Sequence, residues 1–330
     1  MDINVLDLFS GIGGFHLGLE KAGFKVNAFN SEIDKYAIDV YKNNFKNSTY
    51  VGSVTNIQSR NLPRIDAITF GSPCQDFSLA GKRKGLEGYR SSLISEAIRL
   101  ISECRPRFFI WENVKGTFSS NSGADFWAII QAFANIGGYR LEWQLLNTKW
   151  FLPQNRERIY LVGYIGNESG GQIFPIKEIN NNINKKIGNK TRKSTSKQIA
   201  HSRTLSSRIH KMGNDATYIK VNSNTKKGYE IAKKGDSISY SNPNSKTRRG
   251  RVGKNISQTL DTSCNQAIFY DKIRRLTPIE CERLQGFPDN WTKYGTKGLI
   301  SDTQRYKMCG NAVTVNVVEA VANNIKKTIF

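Results

Sequence analysis

Apolar positions in the first half of the chain recur at two different spacings. Runs of strand length occupy Asn4–Phe9, Lys25–Asn30, Asp66–Gly71, Arg107–Glu112, Arg140–Leu146 and Arg158–Tyr164. Between several of them, Phe15–Ala22, Asp34–Asn43, Ser92–Cys104 and Asp125–Ile136 repeat apolar residues at helical spacing. This alternation predicts an α/β fold: a doubly wound, mostly parallel sheet covered on both faces. After Ile165 the pattern fades. Asn180–Lys186 is polar and of low complexity, and periodicity returns only near Ile256. The expected organisation is a first domain over residues 1–165, a smaller lobe inserted at 166–272, and a segment 273–330 that returns to the first domain. In that segment Thr277-Pro278-Ile279-Glu280 forms a capping box with proline at the first helical position. A helix from about Thr314 to Lys326 puts Val317, Val318, Val321 and Ile325 on one face, suited to packing on the sheet.

Charge changes the picture of the inserted lobe. The net charge is +22, and Lys177–Lys254 alone holds 20 Lys or Arg against 4 Asp or Glu. One reading is a solvated loop. The same segment carries Tyr218, Tyr229, Tyr240 and many Ser, Thr and Asn, a mixture suited to a phosphate backbone and exposed bases. Nucleic acid is therefore the favoured partner. No apolar run reaches the roughly 18 residues of a membrane-spanning helix. The first residues enter a strand pattern with no basic leader, so a cytoplasmic protein is expected. The five cysteines form no CxxC and no disulfide framework, and no histidine stands at metal-ligand spacing from them. No metal is expected.

Four places carry candidate chemistry. Gly71-Ser72-Pro73-Cys74 sets a cysteine after a proline at the end of an apolar strand, where open α/β sheets place ligands. Cys74 is the candidate nucleophile. None of His16, His201 and His210 has the context of an activating base, which disfavours acyl transfer. Phe9-Ser10-Gly11-Ile12-Gly13-Gly14 is a glycine-rich strand-to-helix turn, and Glu32 follows the second strand about 20 residues later. Glu32 either accepts from two ribose hydroxyls or serves as an acid at a helix N-terminus. Together they indicate an adenosine-containing cofactor with no strong need for a diphosphate. Glu112, in Trp111-Glu112-Asn113-Val114, reaches the same sheet edge as Cys74; it is either a partly buried proton donor or a turn cap. Strand alternation places Arg156, Arg158 and Tyr160 on one face, either for an anion or as a surface ion-pair face.

In this order the blocks resemble the bacterial C5-cytosine DNA methyltransferases of restriction–modification systems. The matching blocks are Phe9–Gly14, Glu32, Pro73-Cys74-Gln75, Glu112-Asn113-Val114, Gln154–Arg158, and Arg275–Pro288 with Gly310-Asn311-Ala312-Val313. The resemblance covers nearly all of the chain outside the basic lobe. It implies S-adenosylmethionine as cofactor and a cytosine flipped out of double-stranded DNA as substrate. It implies that Cys74 attacks C6, that Glu112 holds N3 and the amine, and that Arg158 with Arg156 contacts the base carbonyl and phosphates. Phe9, Ser10, Gly11, Ile12, Gly14, Glu32, Ile33, Val54, Pro73 and Asn311 would form the cofactor pocket. Phe77–Leu93 would be a mobile catalytic loop, and the basic lobe the target-recognition domain. Thr259-Leu260 falls where the family often has such a pair near the flipped base. Ser53 stands where the family usually has aspartate, and Ile33 where some members have tryptophan. The family further implies a monomer and a cognate endonuclease encoded separately. The rival readings are a DNA-binding regulator on this scaffold and an RNA cytosine methyltransferase.

Overall fold

The structure, a computed structural model, describes residues 1–72, 91–166, 171–178, 218–241, 250–270 and 273–330. Pro73, Cys74 and most of the Phe77–Leu93 loop lie outside the described residues, as do 179–217 of the basic lobe. The first part runs β1 (Asp2–Leu8), α1 (Gly14–Lys21), β2 (Lys25–Ser31), α2 (Lys35–Asn44), β3 (Thr49–Gly52), β4 (Ala67–Gly71), α3 (Ser91–Cys104), β5 (Phe108–Val114), α4 (Ala124–Ala134), β6 (Arg140–Asn147), β7 (Gln154–Asn155) and β8 (Glu157–Tyr164). Seven of the strands form one sheet in the order β3-β2-β1-β4-β5-β8-β6. The first five are parallel; β8 is antiparallel to both β5 and β6. The sheet is thus the expected mostly parallel, Rossmann-like one. β5 reads Phe-Phe-Ile-Trp-Glu-Asn-Val because it is central and covered on both sides.

Strand order reverses between β1 and β4, the position where doubly wound sheets open a crevice at their carboxyl edge. The glycine turn leaves β1 there, and β4 ends beside it at Gly71. Under one face, Val5, Phe108 and Ile110 pack with Leu19 of α1 and with Val318, Val321 and Ile325. Under the other, Leu6, Ile68, Phe109 and Trp111 pack with α3 and α4. Each such side chain contributes about 1.5–3 kcal/mol by burial.

The described part of the basic lobe contains β9 (Tyr218–Asn222), β10 (Tyr229–Lys233), β11 (Ser237–Ser239), β12 (Val252–Gly253), β13 (Ser257–Gln258), β14 (Gln266–Phe269) and β15 (Ile273–Arg275). β9 and β10 form a hairpin, and β12-β11-β14-β15 a small sheet whose last strand leads the chain out of the lobe. β13 pairs with β7, which joins the lobe to the main domain. Residues 171–178, beyond the expected domain boundary, lie on the main core: Ile173 and Phe174 are buried there, and Glu142 accepts from both of their amides.

The chain then forms α5 (Pro278–Leu284), α6 (Asp302–Asn311) and α7 (Val315–Ile329). The Thr277 hydroxyl accepts from the Glu280 amide while Glu280 accepts from the Thr277 amide, completing the capping box. α7 lies on α1. A Cβ at Gly18 would fall 2.5 Å from Val318, so only glycine permits this approach. Among the described residues no helix is long and apolar enough to cross a membrane.

Candidate active site

Gly71 and Glu112 are directly opposed in the β4–β5 register. A Cβ at Gly71 would lie 3.1 Å from Glu112 Oε2, so the missing side chain makes room for the carboxylate. Arg158 enters from β8, with its Nε 3.1 Å from Glu112 Oε1 and both side chains at most 15% exposed. The guanidinium N–H does not point along that contact. Glu112 Oε1 is buried and accepts no directed hydrogen bond. A carboxylate balanced by charge but with an unspent acceptor can hold a donor on a substrate. Arg158 also donates from Nη1 to the Glu157 carbonyl at 2.8 Å, which fixes its plane. Asn113, fully buried, donates to the Ser72 hydroxyl at 3.2 Å, and Trp111 Nε1 donates to the same atom at 3.1 Å. These two bonds pin Ser72, the residue after β4, to β5. Asn113 lies inside a matched block and Ser72 just ahead of one, but only the structure reveals this role.

Arg156 does something other than expected. Residue 156 falls between β7 and β8, where the strand is interrupted, so the two-residue alternation fails there. Its side chain is 3% exposed and turns away from Arg158. Its guanidinium donates to the carbonyls of Ala312 at 2.9 Å, Gly310 at 3.3 Å and Leu260 at 3.4 Å. It braces the lobe against the C-terminal segment. Tyr160 is likewise in the core, and burial holds its phenol well above the ordinary value. Gln154 reinforces the brace: it donates to the Leu284 carbonyl and accepts from the Leu260 amide.

The glycine turn leaves β1 with Phe9 and Gly11 at φ 52° and 53°. Gly11 donates its amide to Glu32 Oε2 at 2.9 Å, and Glu32 Oε1 accepts from the Ile33 and Asp34 amides. Glu32 sits at the end of β2 and closes the glycine turn through these backbone amides. Asp34 is the actual N-cap of α2. Ile33 is 80% exposed, although it is aliphatic. The space at the Gly11 Cα is open, and the Ser10 hydroxyl is buried without a partner. Asn311 is exposed at the end of α6. An open backbone turn, a strand-end carboxylate and an exposed apolar side chain fit a nucleoside-containing cofactor. Three expected pocket residues instead pack inward. Ile12 and Val54 are core side chains, because each follows a turn that drives it under the sheet edge. Gly14 lies against Val313, where a Cβ would be 2.6 Å from a methyl. The Ser53 hydroxyl pairs with Thr55.

Beneath the turn lies a buried polar row. Asp7 accepts from the Thr69 hydroxyl at 2.8 Å and from the Tyr41 hydroxyl at 3.3 Å. Burial pushes its pKa up to about 8, against the lowering effect of these bonds and with some help from Glu32. His16 contacts the Tyr41 hydroxyl at 2.9 Å, and burial lowers its pKa to about 4. Its 3.4 Å contact to Glu20 is therefore between a neutral ring and a carboxylate, and its ring stacks on Phe45. Burial also raises the thiol of Cys104 to about 11, and that of Cys309 well above the ordinary value.

A cleft of about 490 Å³ separates Arg158 and Glu157 from Gln258 and Thr259 of the basic lobe. It joins the Glu112–Arg158 pair to the positively charged lobe.

Comparison with known proteins agrees with this geometry. The family model for C-5 cytosine-specific DNA methylase matches residues 3–327. The type II methyltransferase M1.ScrFI of Lactococcus lactis subsp. cremoris is 33% identical over 98% of this chain and 78% of its own. M.Bsp6I of Bacillus sp. (strain RFL6) is 30% identical over 99% of this chain and all of its own. Among solved structures, Entamoeba histolytica methyltransferase EhMeth superposes with a TM-score of 0.63 at 17% identity, covering 98% of both chains. The S. pombe Dnmt2 methyltransferase gives 0.58 at 17% identity over 98% of both. The chain belongs to the C-5 cytosine-specific DNA methylase family and is a DNA (cytosine-5-)-methyltransferase.

Proposed function

We propose that the chain methylates C5 of a cytosine flipped out of double-stranded DNA, through a covalent bond between Cys74 and C6. The observation that carries this reading is the Glu112–Arg158 pair, buried against side-chain-free Gly71 just ahead of Pro73-Cys74. Glu112 accepts from the exocyclic amine through its unspent Oε1, and a proton shared between its carboxyl group and N3 offsets the electron density entering the ring. Arg158 donates to the base carbonyl. The Cys74 thiolate adds to C6, which makes C5 nucleophilic. After C5 is methylated, loss of its proton to a base restores the double bond and expels Cys74.

S-adenosylmethionine is the cofactor in this reading, and when bound it supplies an electrophilic methyl group. Glu32 accepts from its ribose hydroxyls, Ile33 covers the adenine, and Phe9, Ser10 and Gly11 offer backbone and hydroxyl contacts. Pro73 and Asn311 border the same pocket. Ile12, Gly14 and Val54 shape it from beneath. Residues 1–165 serve catalysis and cofactor binding, 166–272 target recognition, and 273–330 completes the first domain. The charge of the lobe gives affinity for phosphates that falls with salt. The reaction marks host DNA against a separately encoded endonuclease.

The test is covalent trapping. The full chain is incubated with S-adenosylmethionine and duplexes carrying 5-fluorocytosine in every short context, then separated under denaturing conditions. One context yields a cofactor-dependent adduct, and Cys74→Ser forms none while still binding DNA. Absence of an adduct in all contexts, or its persistence in Cys74→Ser, refutes the assignment.

A further inference from the structure

Most polar side chains lining the cleft have their hydrogen bonds spent within the chain. Lys115 and Glu157 pair with each other at 2.9 Å. The Thr259 hydroxyl donates to the Asn155 carbonyl at 2.8 Å. The hydroxyls of Ser239 and Ser241 lie 3.1 Å apart and share a bond. Asp261 accepts from the amides of Ser263 and Asn265 and caps its own loop. Asn155 has its side-chain oxygen engaged by Asn147 at 2.8 Å.

Gln258 is different. Its half-buried side chain lines the cleft, and its carboxamide makes no hydrogen bond among the described residues. Its backbone, in contrast, is clamped on both sides by one residue. Its amide donates to Gln266 Oε1 at 3.0 Å, and its carbonyl accepts from Gln266 Nε2 at 2.9 Å. Gln266 is 2% exposed and spends the rest of its carboxamide on the Ser257 hydroxyl and the Thr259 carbonyl. The β13–β7 pairing adds a second restraint, with Gln258 opposite Asn155. A buried amide whose donors and acceptor all serve one strand fixes where that strand points its side chains. A carboxamide with donor and acceptor both unspent, on a rigid mount, is the equipment of direct base readout.

We propose that Gln258 is a specificity-determining residue, hydrogen-bonding a base edge that presents a donor beside an acceptor next to the extruded cytosine. Gln266 is the positioning residue that aims it. The inference rests on the reading of this cleft as the cytosine-methylating centre.

The experiment uses the full chain on a duplex library with the bases around one cytosine randomised, read by bisulfite sequencing. Wild type, Gln258→Ala, Gln258→Glu and Gln266→Leu are compared. Wild type returns a defined motif. Gln258→Ala and Gln258→Glu lose discrimination at one base position by about tenfold to hundredfold, with the other positions unchanged. Gln266→Leu loses discrimination at that same position. If a variant is too slow to map, competition binding between the preferred duplex and single-base variants gives the same ratio. An unchanged motif in Gln258→Ala, or an equal loss on all sequences, overturns the proposal. A wild type that methylates no duplex cytosine overturns the underlying reading and this inference with it.

Discussion

Replacing Asp7 with asparagine removes an unusual pH dependence built into the floor of the glycine turn. Asp7 keeps its proton in the fold up to about pH 8, whereas an unfolded aspartate loses it near 3.8. Between those limits the folded state binds one proton more, so this residue makes stability fall as pH rises. The slope is about 1.4 kcal/mol per pH unit, or about 6 kcal/mol across the window. His16 acts in the opposite sense. Its folded pKa is about 4 against the ordinary 6.5, so it adds stability as pH rises through that range. The two slopes offset each other up to pH 6.5. Above it Asp7 acts alone, and the pair contributes a loss of about 2 kcal/mol by pH 8. Asparagine has the shape of the protonated acid and does not titrate. Urea unfolding of wild type and Asp7→Asn at pH 5, 6, 7 and 8, followed by fluorescence, isolates the Asp7 contribution. The difference in unfolding free energy, variant minus wild type, should grow with pH by about 1.4 kcal/mol per pH unit. A difference that stays flat from pH 5 to 8 would mean that Asp7 is ionised in the fold.

Three further changes separate bracing from chemistry. Arg156→Met removes the donors from three buried carbonyls and should cost about 2–4 kcal/mol in unfolding free energy, while the salt dependence of DNA binding stays the same. Arg158→Met should instead retain DNA affinity but lower kcat by at least about a hundredfold in single-turnover methylation of the folded variant. Glu32→Ala frees the Gly11, Ile33 and Asp34 amides and should weaken S-adenosylmethionine binding at least about tenfold by calorimetry, with DNA affinity little changed.

Much of the fold is legible because its strands are central and its helices amphipathic. Lys25–Asn30 and Ser92–Cys104 are read to within a residue of the observed elements, since burial on one or both faces dictates their composition. β3 leaves no such mark, being a four-residue strand at the sheet edge with half of it exposed. α6 is equally hard to see. Its inward side carries Arg305, whose guanidinium meets the fully buried Glu282 at 3.0 Å, and a charged pair in a core breaks the apolar spacing. At the site, Glu112 and Arg158 are legible because they end strands. The brace formed by Arg156 is not, because alternation assumes an unbroken strand and the chain breaks at that residue. Gln266 is invisible in sequence for a related reason: a buried amide that satisfies other residues' backbones looks like any polar residue of a loop-rich lobe.

The close seat of α7 on α1 has a consequence for synthesis. Gly18 and Val318, which touch, are separated by 300 positions, with the whole basic lobe between them. A growing polypeptide therefore leaves the ribosome with the α1 groove bare until its last helix emerges. Over that interval the half-built domain displays Leu19, Phe15 and the adjoining strand residues to the surroundings. Nascent chains stalled before Val315 should be the ones that chaperones retain and proteases cut.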